Sequence, residues 1–483
     1  MRRRVAAEAA PTKMTKTRVL PRRSDFSRDS LRLVAVAGLV LSQAAYTQPP
    51  GGFGGPRGPQ SENLPKEPTA VELPTLSAEV TGPGAMFDSA PSHAHGLDPA
   101  HFDYTTREYF VSGMANGAPY TTRVVVRRPG DDRKFSGLVL AESMHGSGSA
   151  HGFEFNAAYL MDSGHAAVEI VTTSPAQFVA FNAPRYGNMK VEEGQANDIL
   201  AQVGALVKSD KGPLAGLAVR KMVLFGTSMS AGTLMNYLPA HMVYRTPGMG
   251  HIYDGFIPTS NGSTVLEVDV PLIQMPTLLE IEGSVPRRQD SDEPGKQYRL
   301  YEFAGIGHVD SRDNVRLIPN PCTRPLSTVP VQAYMAVGLH HLFRWVDQGI
   351  VPPRADRILL DRNTSNDGSQ AAADAHGNAL GGIRTPYVDV PVAKYGASIT
   401  ATDPVISNAS AYVTANGLPG AQIMCRLSNY QEAFSAAQLR ELYGNKQNYR
   451  RMFEARLDEL EQQGWSLPVY RELILGDAAA VEF

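Results

Sequence analysis

Apolar residues along this chain fall into short runs separated by stretches of helical periodicity. Val, Leu and Ile crowd into Thr122-Arg-Val-Val-Val-Arg127, Gly137-Leu-Val-Leu-Ala-Glu142, Ala166-Ala-Val-Glu-Ile-Val171 and Met222-Val-Leu-Phe225, each of strand length. Ala196 to Val207 places its apolar residues at helical spacing, and a second helix is predicted from Met229 to Leu238. Thr277-Leu-Leu-Glu-Ile281 and Tyr298-Arg-Leu-Tyr-Glu-Phe303 read as further strands. Val331 to Gln348 reads as a helix that stops at Gly349, with Pro352-Pro353 beyond it. Strands alternating with helices predict an α/β fold with a largely parallel sheet, whose sites lie beyond the carboxyl ends of the strands. Asp374 to Val390 holds Gly377, Gly381, Gly382 and Pro386 and reads as loop; Gln447 to Gln463 reads as a charged amphipathic helix ending at Gly464. The C-terminal region is therefore read as a mainly helical and loop elaboration of one domain.

The first residues do not follow this pattern. Met1 to Arg32 is rich in Arg and Lys, Leu33-Val-Ala-Val-Ala-Gly-Leu-Val-Leu41 is a short apolar core, and Ser42-Gln-Ala44 offers small residues for cleavage. Residues 1–45 thus read as a signal peptide, with an uncleaved anchor as the alternative; the apolar run is too short to span a bilayer comfortably. Residues 46–70 are Pro- and Gly-rich and read as a disordered linker, leaving 71–483 as a single domain with insertions. This assigns the protein to an exported location, periplasmic or secreted, and no later segment reads as an integral membrane span. A net charge of −3 over 483 residues gives no footprint for nucleic acid. Cys322 and Cys425 are the only cysteines: too few for a zinc site of their own, but able to pair in an oxidising compartment if the fold brings them together.

The densest chemical signal is Lys221-Met-Val-Leu-Phe-Gly-Thr-Ser-Met-Ser-Ala-Gly232: an apolar strand, a sharp small-residue turn carrying serine, then a helix start. Gly226 and Ser230 supply the small residues on either side of Ser228, which stands at the strand tip. Ser230 is the alternative nucleophile, about half a helical turn further on. A serine hydroxyl needs a base, and the base needs a carboxylate to fix its tautomer. Of the later histidines, His308 is best placed, in the glycine-rich loop Ala304-Gly-Ile-Gly-His308 after a predicted strand. His340 and His341 read as helix packing and His251 as structural. Glu282, at the end of the predicted Thr277–Ile281 strand and beside Gly283, is the preferred acid; Glu280 is the alternative, with Asp290, Asp292 and Asp310 weaker. An oxyanion hole needs two backbone N–H groups, expected from Met229 and from Met144 or His145 in the loop after the Gly137–Glu142 strand. Phe178, Phe181 and Tyr186 are candidates for the substrate pocket. His93, His95 and His101 offer only a weak metal motif in a loop before the core.

As a set these motifs resemble the α/β-hydrolase superfamily, and within it a bacterial, often exported family labelled "alpha/beta hydrolase domain". Gly226-Thr-Ser-Met-Ser-Ala-Gly232 stands where that family has a G-x-S-Q-S-G-type elbow, and Tyr301-Glu-Phe-Ala-Gly-Ile-Gly-His308 is similar to its W-E-x-A-G-x-x-H run. Gly377-Asn-Ala-Leu-Gly-Gly-Ile-Arg-Thr-Pro386 resembles its G-N-x-x-G-G-x-R-x-P run, and Tyr253-Asp-Gly-Phe256, Phe181-Asn-Ala-Pro-Arg-Tyr186 and Asn197-Asp-Ile199 are also similar. Met229 stands where Gln is usual, and Ala231 precedes the following Gly232. The resemblance implies an α/β-hydrolase fold and a serine carboxylic-ester hydrolase working through a Ser-His-Glu triad and an acyl-enzyme. Its expected partner is a small-molecule ester, with no metal or organic cofactor. An amidase or acyltransferase with the same triad, or a hydrolase-fold binding protein without turnover, are the alternatives.

Overall fold

The computed structural model describes residues 64–90, 99–283, 286–312, 314, 317, 319–361, 370–397, 399–402 and 420–483. The expected signal peptide, most of the expected linker, and His93 and His95 lie outside the described residues. Among those described, nine strands build the main sheet: β1 (Thr75–Leu76), β2 (Tyr104–Ala115), β3 (Ala118–Pro129), β4 (Leu138–Ser143), β5 (Ala166–Ile170), β6 (Lys221–Thr227), β7 (Gly255–Thr259), β8 (Leu272–Gln274) and β9 (Tyr298–Leu300). Their order across the sheet is β9-β8-β7-β6-β4-β5-β3-β2-β1. The six strands from β5 to β9 in that order run parallel, whereas β3, β2 and β1 join antiparallel at the β5 edge.

Chain direction across the sheet reverses at β4, which lies between β5 and β6. That switch opens a crevice at the carboxyl ends of β4 and β6, where α/β sheets bind ligands. Register places Glu142 opposite Phe225, so the loop after β4 and the turn after β6 emerge at the same level.

Both faces of the sheet are covered, which is why the strands read as near-continuous apolar runs. Alternate residues of β6 serve opposite cores. Met222 and Leu224 pack with Ile199, Leu200, Val203 and Leu206 of α2 (Ala196–Val207) and with Leu234, Tyr237 and Leu238 of α3 (Met229–His241). Val223 and Phe225 face the other core, with Phe153 of α1 (His151–Glu154) and Tyr334, Met335, Leu339 and Leu342 of α5 (Val331–Gln348). Burying each such side chain contributes about 1.5–3 kcal/mol. The C-terminal helices α6 (Lys446–Gln463) and α7 (Arg471–Ala480) add Phe453, Leu457 and Ile474 to this second core, making one continuous apolar cluster rather than a separate module. Gly349 and Gly464 end α5 and α6 in the left-handed conformation that the sequence predicted glycine would supply.

Three expected elements differ. Residues 277–281 do not form a strand: Thr277 caps a short helix, α4 (Leu278–Glu282), and Glu280 reaches back to the cap. The expected 298–303 strand breaks after Leu300, and Phe303–Ala304 pairs instead with Ile383–Arg384. The 374–390 stretch, read as loop, supplies that partner strand and a turn of helix at Pro386–Asp389.

Candidate active site

Ser228 sits between the end of β6 and the start of α3, with φ 53° and ψ −118°. A non-glycine residue at positive φ is strained by about 1–3 kcal/mol and persists only where its surroundings hold it. Here the Ser228 N–H donates to the Thr259 carbonyl at 3.1 Å, and the Asn261 amide donates to the Ser228 carbonyl at 3.2 Å. Gly226 is obligatory for the turn: a Cβ there would lie 2.5 Å from the Ser230 carbonyl oxygen and 2.7 Å from Ala231 Cα. Ser230 is buried, and its hydroxyl donates to the Thr227 carbonyl while accepting the Thr227 N–H, both at 2.9 Å. That hydroxyl closes the turn, whereas Ser228 is half-buried at its apex.

His308 follows Phe303–Ala304 in a loop where Gly305 has φ 87°. Its Nδ1–H donates to Glu280 Oε1 at 2.6 Å, and both side chains are only 2% exposed. The other Glu280 oxygen accepts the Thr277 N–H at 2.8 Å and the Thr277 hydroxyl at 2.7 Å. Burial pushes the Glu280 carboxyl up, but the His308 imidazole and the two Thr277 donors outweigh it and hold the group below the ordinary carboxylate range.

The preferred acid of the sequence reading is thereby corrected. Glu282 is half-buried and accepts the Ala371 N–H at 3.3 Å; burial raises its pKa. The physical reason is the helix. On a strand, residues two apart share a face, but on a helix they diverge by roughly 200°, so only one of the pair faces His308.

The loop after β7 ties the serine and histidine segments together, which the sequence reading missed. Asn261 holds the Ser228 carbonyl, and the Ser260 hydroxyl donates to the His308 carbonyl at 3.4 Å. Ser260 has φ 48°, a second strained residue at the crevice. The available signal was the polar turn Thr259-Ser-Asn-Gly262 directly after an apolar strand.

The expected oxyanion donors divide. Met229 occupies the first position of α3, where its N–H has no intrahelical acceptor. The Met144 N–H, however, donates to Ile170 O at 2.8 Å and the His145 N–H to Ser149 O at 3.0 Å, so both are committed to backbone. Beside them, buried Glu142 accepts the Gly152 and Phe153 N–H groups that begin α1, at 2.7 and 3.0 Å. Burial, then the Glu169 charge nearby, pushes its pKa up to about 8.

Two of the three expected pocket residues lie in a core instead. Phe178 and Tyr186 are fully buried with Met144, Val171 and Met189, and the Tyr186 hydroxyl donates to Glu108 at 2.9 Å. They pack around a buried ionic cluster in which Arg123 pairs with Glu108 and Glu169, Arg127 with Glu169, and Arg185 with Glu108. Phe181 alone of the three is open to solvent, at 51%. Asp290 pairs with Arg357, and Asp292 with Arg299 and Arg354.

Among the described residues His241, His251 and Asp269 bring donor atoms within 4.8 Å of one another. The Arg245 guanidinium lies 3.7 Å from Asp269 and His241 Nε2 lies 2.9 Å from it, so the carboxylate already has a fixed cation that would repel a metal ion. The cluster ties the end of α3 to the following loops.

A largely parallel sheet in this strand order, with a strained serine at the β6–α3 turn and a carboxylate-bound histidine beyond β9, defines an α/β hydrolase. The chain belongs to the family described as "Alpha/beta hydrolase domain", which it matches over residues 69–475. No curated protein matches the sequence. Similar solved structures include a variant of esterase Est22, 14% identical, with 37% of this chain and 49% of that chain covered and a TM-score of 0.25. Another is a zinc-bound cold-adapted esterase from an Arctic intertidal metagenomic library, 14% identical, with 44% and 87% covered and a TM-score of 0.24. The chain spans about half the length of the Est22 variant.

Proposed function

We propose that the protein is an exported serine hydrolase that cleaves a small carboxylic ester through Ser228, His308 and Glu280. The 2.6 Å His308–Glu280 hydrogen bond carries this reading, because a buried imidazole bound to an ionised carboxylate has its tautomer fixed for general-base work. With Nδ1 committed to Glu280, Nε2 takes the Ser228 proton as the hydroxyl attacks the ester carbonyl. The tetrahedral oxyanion is stabilised by the Met229 N–H and by the Gly146 N–H, since the 144, 145, 147 and 148 amides are engaged elsewhere. Nε2 then protonates the departing alkoxide, and water attacks the acyl-enzyme by the same route in reverse. Every step is served by side chains and backbone of this chain. The disulfide between Cys322 and Cys425 supports an oxidising location, consistent with the leader-like first residues. Among the described residues no helix is long and apolar enough to cross a membrane.

Fluorophosphonate labelling of purified protein, with the labelled peptide mapped by mass spectrometry, tests this directly. Labelling and p-nitrophenyl ester hydrolysis should vanish in Ser228→Ala. Both should persist in Ser230→Ala to the extent that the turn survives loss of its hydroxyl. A folded wild type that neither labels nor turns over would leave a hydrolase-fold binding protein as the better description.

A further inference from the structure

His308 hangs on a loop with two glycines just before it, Gly305-Ile-Gly-His308, a sequence with little stiffness of its own. Its rigidity must come from what packs against it: besides Glu280, which holds the imidazole, and Ser260, which holds the His308 carbonyl, the segment following Cys425 grips the loop. The Val309 N–H donates to Leu427 O at 3.4 Å, and the Asn429 amide donates to Gly305 O at 3.5 Å. At Gly307 a Cβ would lie 3.2 Å from Asn429 Cγ, so the buried Asn429 side chain is pressed against the loop itself. The Asn429 carbonyl in turn accepts the Ser327 N–H at 2.9 Å, and Gln431 N–H donates to Pro325 O at 3.0 Å.

This clamp has a small foundation. Leu317, Cys322, Ile399, Ala401 and Cys425 form a satellite apolar cluster distinct from the two cores that flank the sheet. Cores of that size seldom hold a segment in place without a covalent staple. The staple present is the Cys322–Cys425 disulfide, with Cα atoms 5.5 Å apart across 103 residues of chain. The contacts run continuously from the disulfide to the loop that carries His308: Cys425 O accepts the Ser428 N–H at 3.2 Å, and Leu427 and Asn429 on either side of that serine grip the loop.

We propose that the Cys322–Cys425 disulfide and Asn429 form a strap that sets the position of His308, with Asn429 as a positioning residue for the reaction. The inference rests on the hydrolase reading above. A catalytic base displaced by about 1 Å loses on the order of 10²-fold in rate, while substrate affinity is set elsewhere. The strap therefore acts on kcat and leaves KM alone.

The test compares oxidised full-length protein, the same protein reduced by a water-soluble phosphine, and Asn429→Ala with the disulfide intact. The phosphine supplies two electrons and is oxidised to its oxide, and the disulfide becomes two thiols, verified by mass. All forms are assayed well below their melting temperatures with a p-nitrophenyl ester and with a fluorophosphonate. Reduction and Asn429→Ala should each lower kcat by about 10-fold or more, slow labelling of Ser228 by a similar factor, and leave KM close to wild type. Hydrogen exchange of residues 303–310 should quicken in both. If the reduced protein unfolds, Asn429→Ala in the oxidised protein carries the test alone. Unchanged kcat and labelling rate in folded Asn429→Ala would overturn the strap while leaving the hydrolase reading standing. Failure of the oxidised wild type to label at Ser228 would remove the hydrolase reading and the strap with it.

Discussion

Ser228 is held at a backbone angle that its own side chain disfavours, and the cost is offset by bonds from the loop after β7 and by the closure of its own turn. Thr259, Asn261 and the Ser230–Thr227 turn each contribute to that hold. Ser228 projects from the apex because Gly226 lets the strand and helix close to within one Cβ of each other. At the same scale, Glu280 and Glu282 have opposite environments although they are two residues apart. Glu280→Gln should cut kcat by about 10⁴-fold with KM nearly unchanged, because a neutral amide no longer fixes the His308 tautomer. Glu282→Gln should behave close to wild type, and steady-state kinetics of the two variants decide between them. Glu280 also makes a pH prediction. Its folded pKa lies below the ordinary 4.5, so the stability it contributes is complete above 4.5 and is lost as pH falls through the lower folded value. The gap in Tm between wild type and Glu280→Gln should be full at neutral pH and close on acidification below 4.5, as read by calorimetry across pH.

At the scale of elements, the antiparallel edge of the sheet is joined to its parallel body partly by charge. Arg123 on β3 pairs with Glu108 on β2 and Glu169 on β5, with side chains at or near full burial. Both partners of Arg123 arrive from neighbouring strands, and Arg185 adds a second cation to Glu108, an arrangement that no local pattern reveals. Removing one member strands buried charge, so Arg123→Ala should lower unfolding free energy by about 3–5 kcal/mol in a denaturant titration. A loss below about 1 kcal/mol would mean that water reaches the site. The short helix α4 shows why strand and helix were confused at 277–281. Four apolar or neutral positions in five residues carry no decisive period, and the Thr277–Glu280 cap settles the matter locally. The longer α5 and α6 were legible because 18 residues of periodicity and a terminal glycine agree.

For the whole molecule, the C-terminal region completes the fold. Its helices enter the same apolar cluster as β6 and α5, and its Cys425 joins Cys322 across 103 residues. Closing a loop of that length is worth about 4–5 kcal/mol in the chain-entropy account. The double variant Cys322→Ser, Cys425→Ser should therefore unfold at clearly lower denaturant than the oxidised wild type. Equal midpoints would show that the packing around residues 317, 399 and 401 suffices without the bond.

The sequence by itself determined the features whose causes are local. These are the β6–turn–α3 unit around Ser228, the apolar strands of a two-sided parallel sheet, the glycine-terminated helices, and a His308 that follows a strand and two glycines. Each follows from propensity, periodicity or a steric demand felt within a few residues. Only the tertiary structure decided that Glu280 rather than Glu282 meets His308 and that Cys322 and Cys425 pair. It likewise decided that the Met144 and His145 amides are spent on backbone, and that Phe178 and Tyr186 lie in a core instead of a pocket. In each case the outcome depends on which distant segment arrives at the same place, and pairing, burial and hydrogen-bond satisfaction are properties of that meeting rather than of either segment alone.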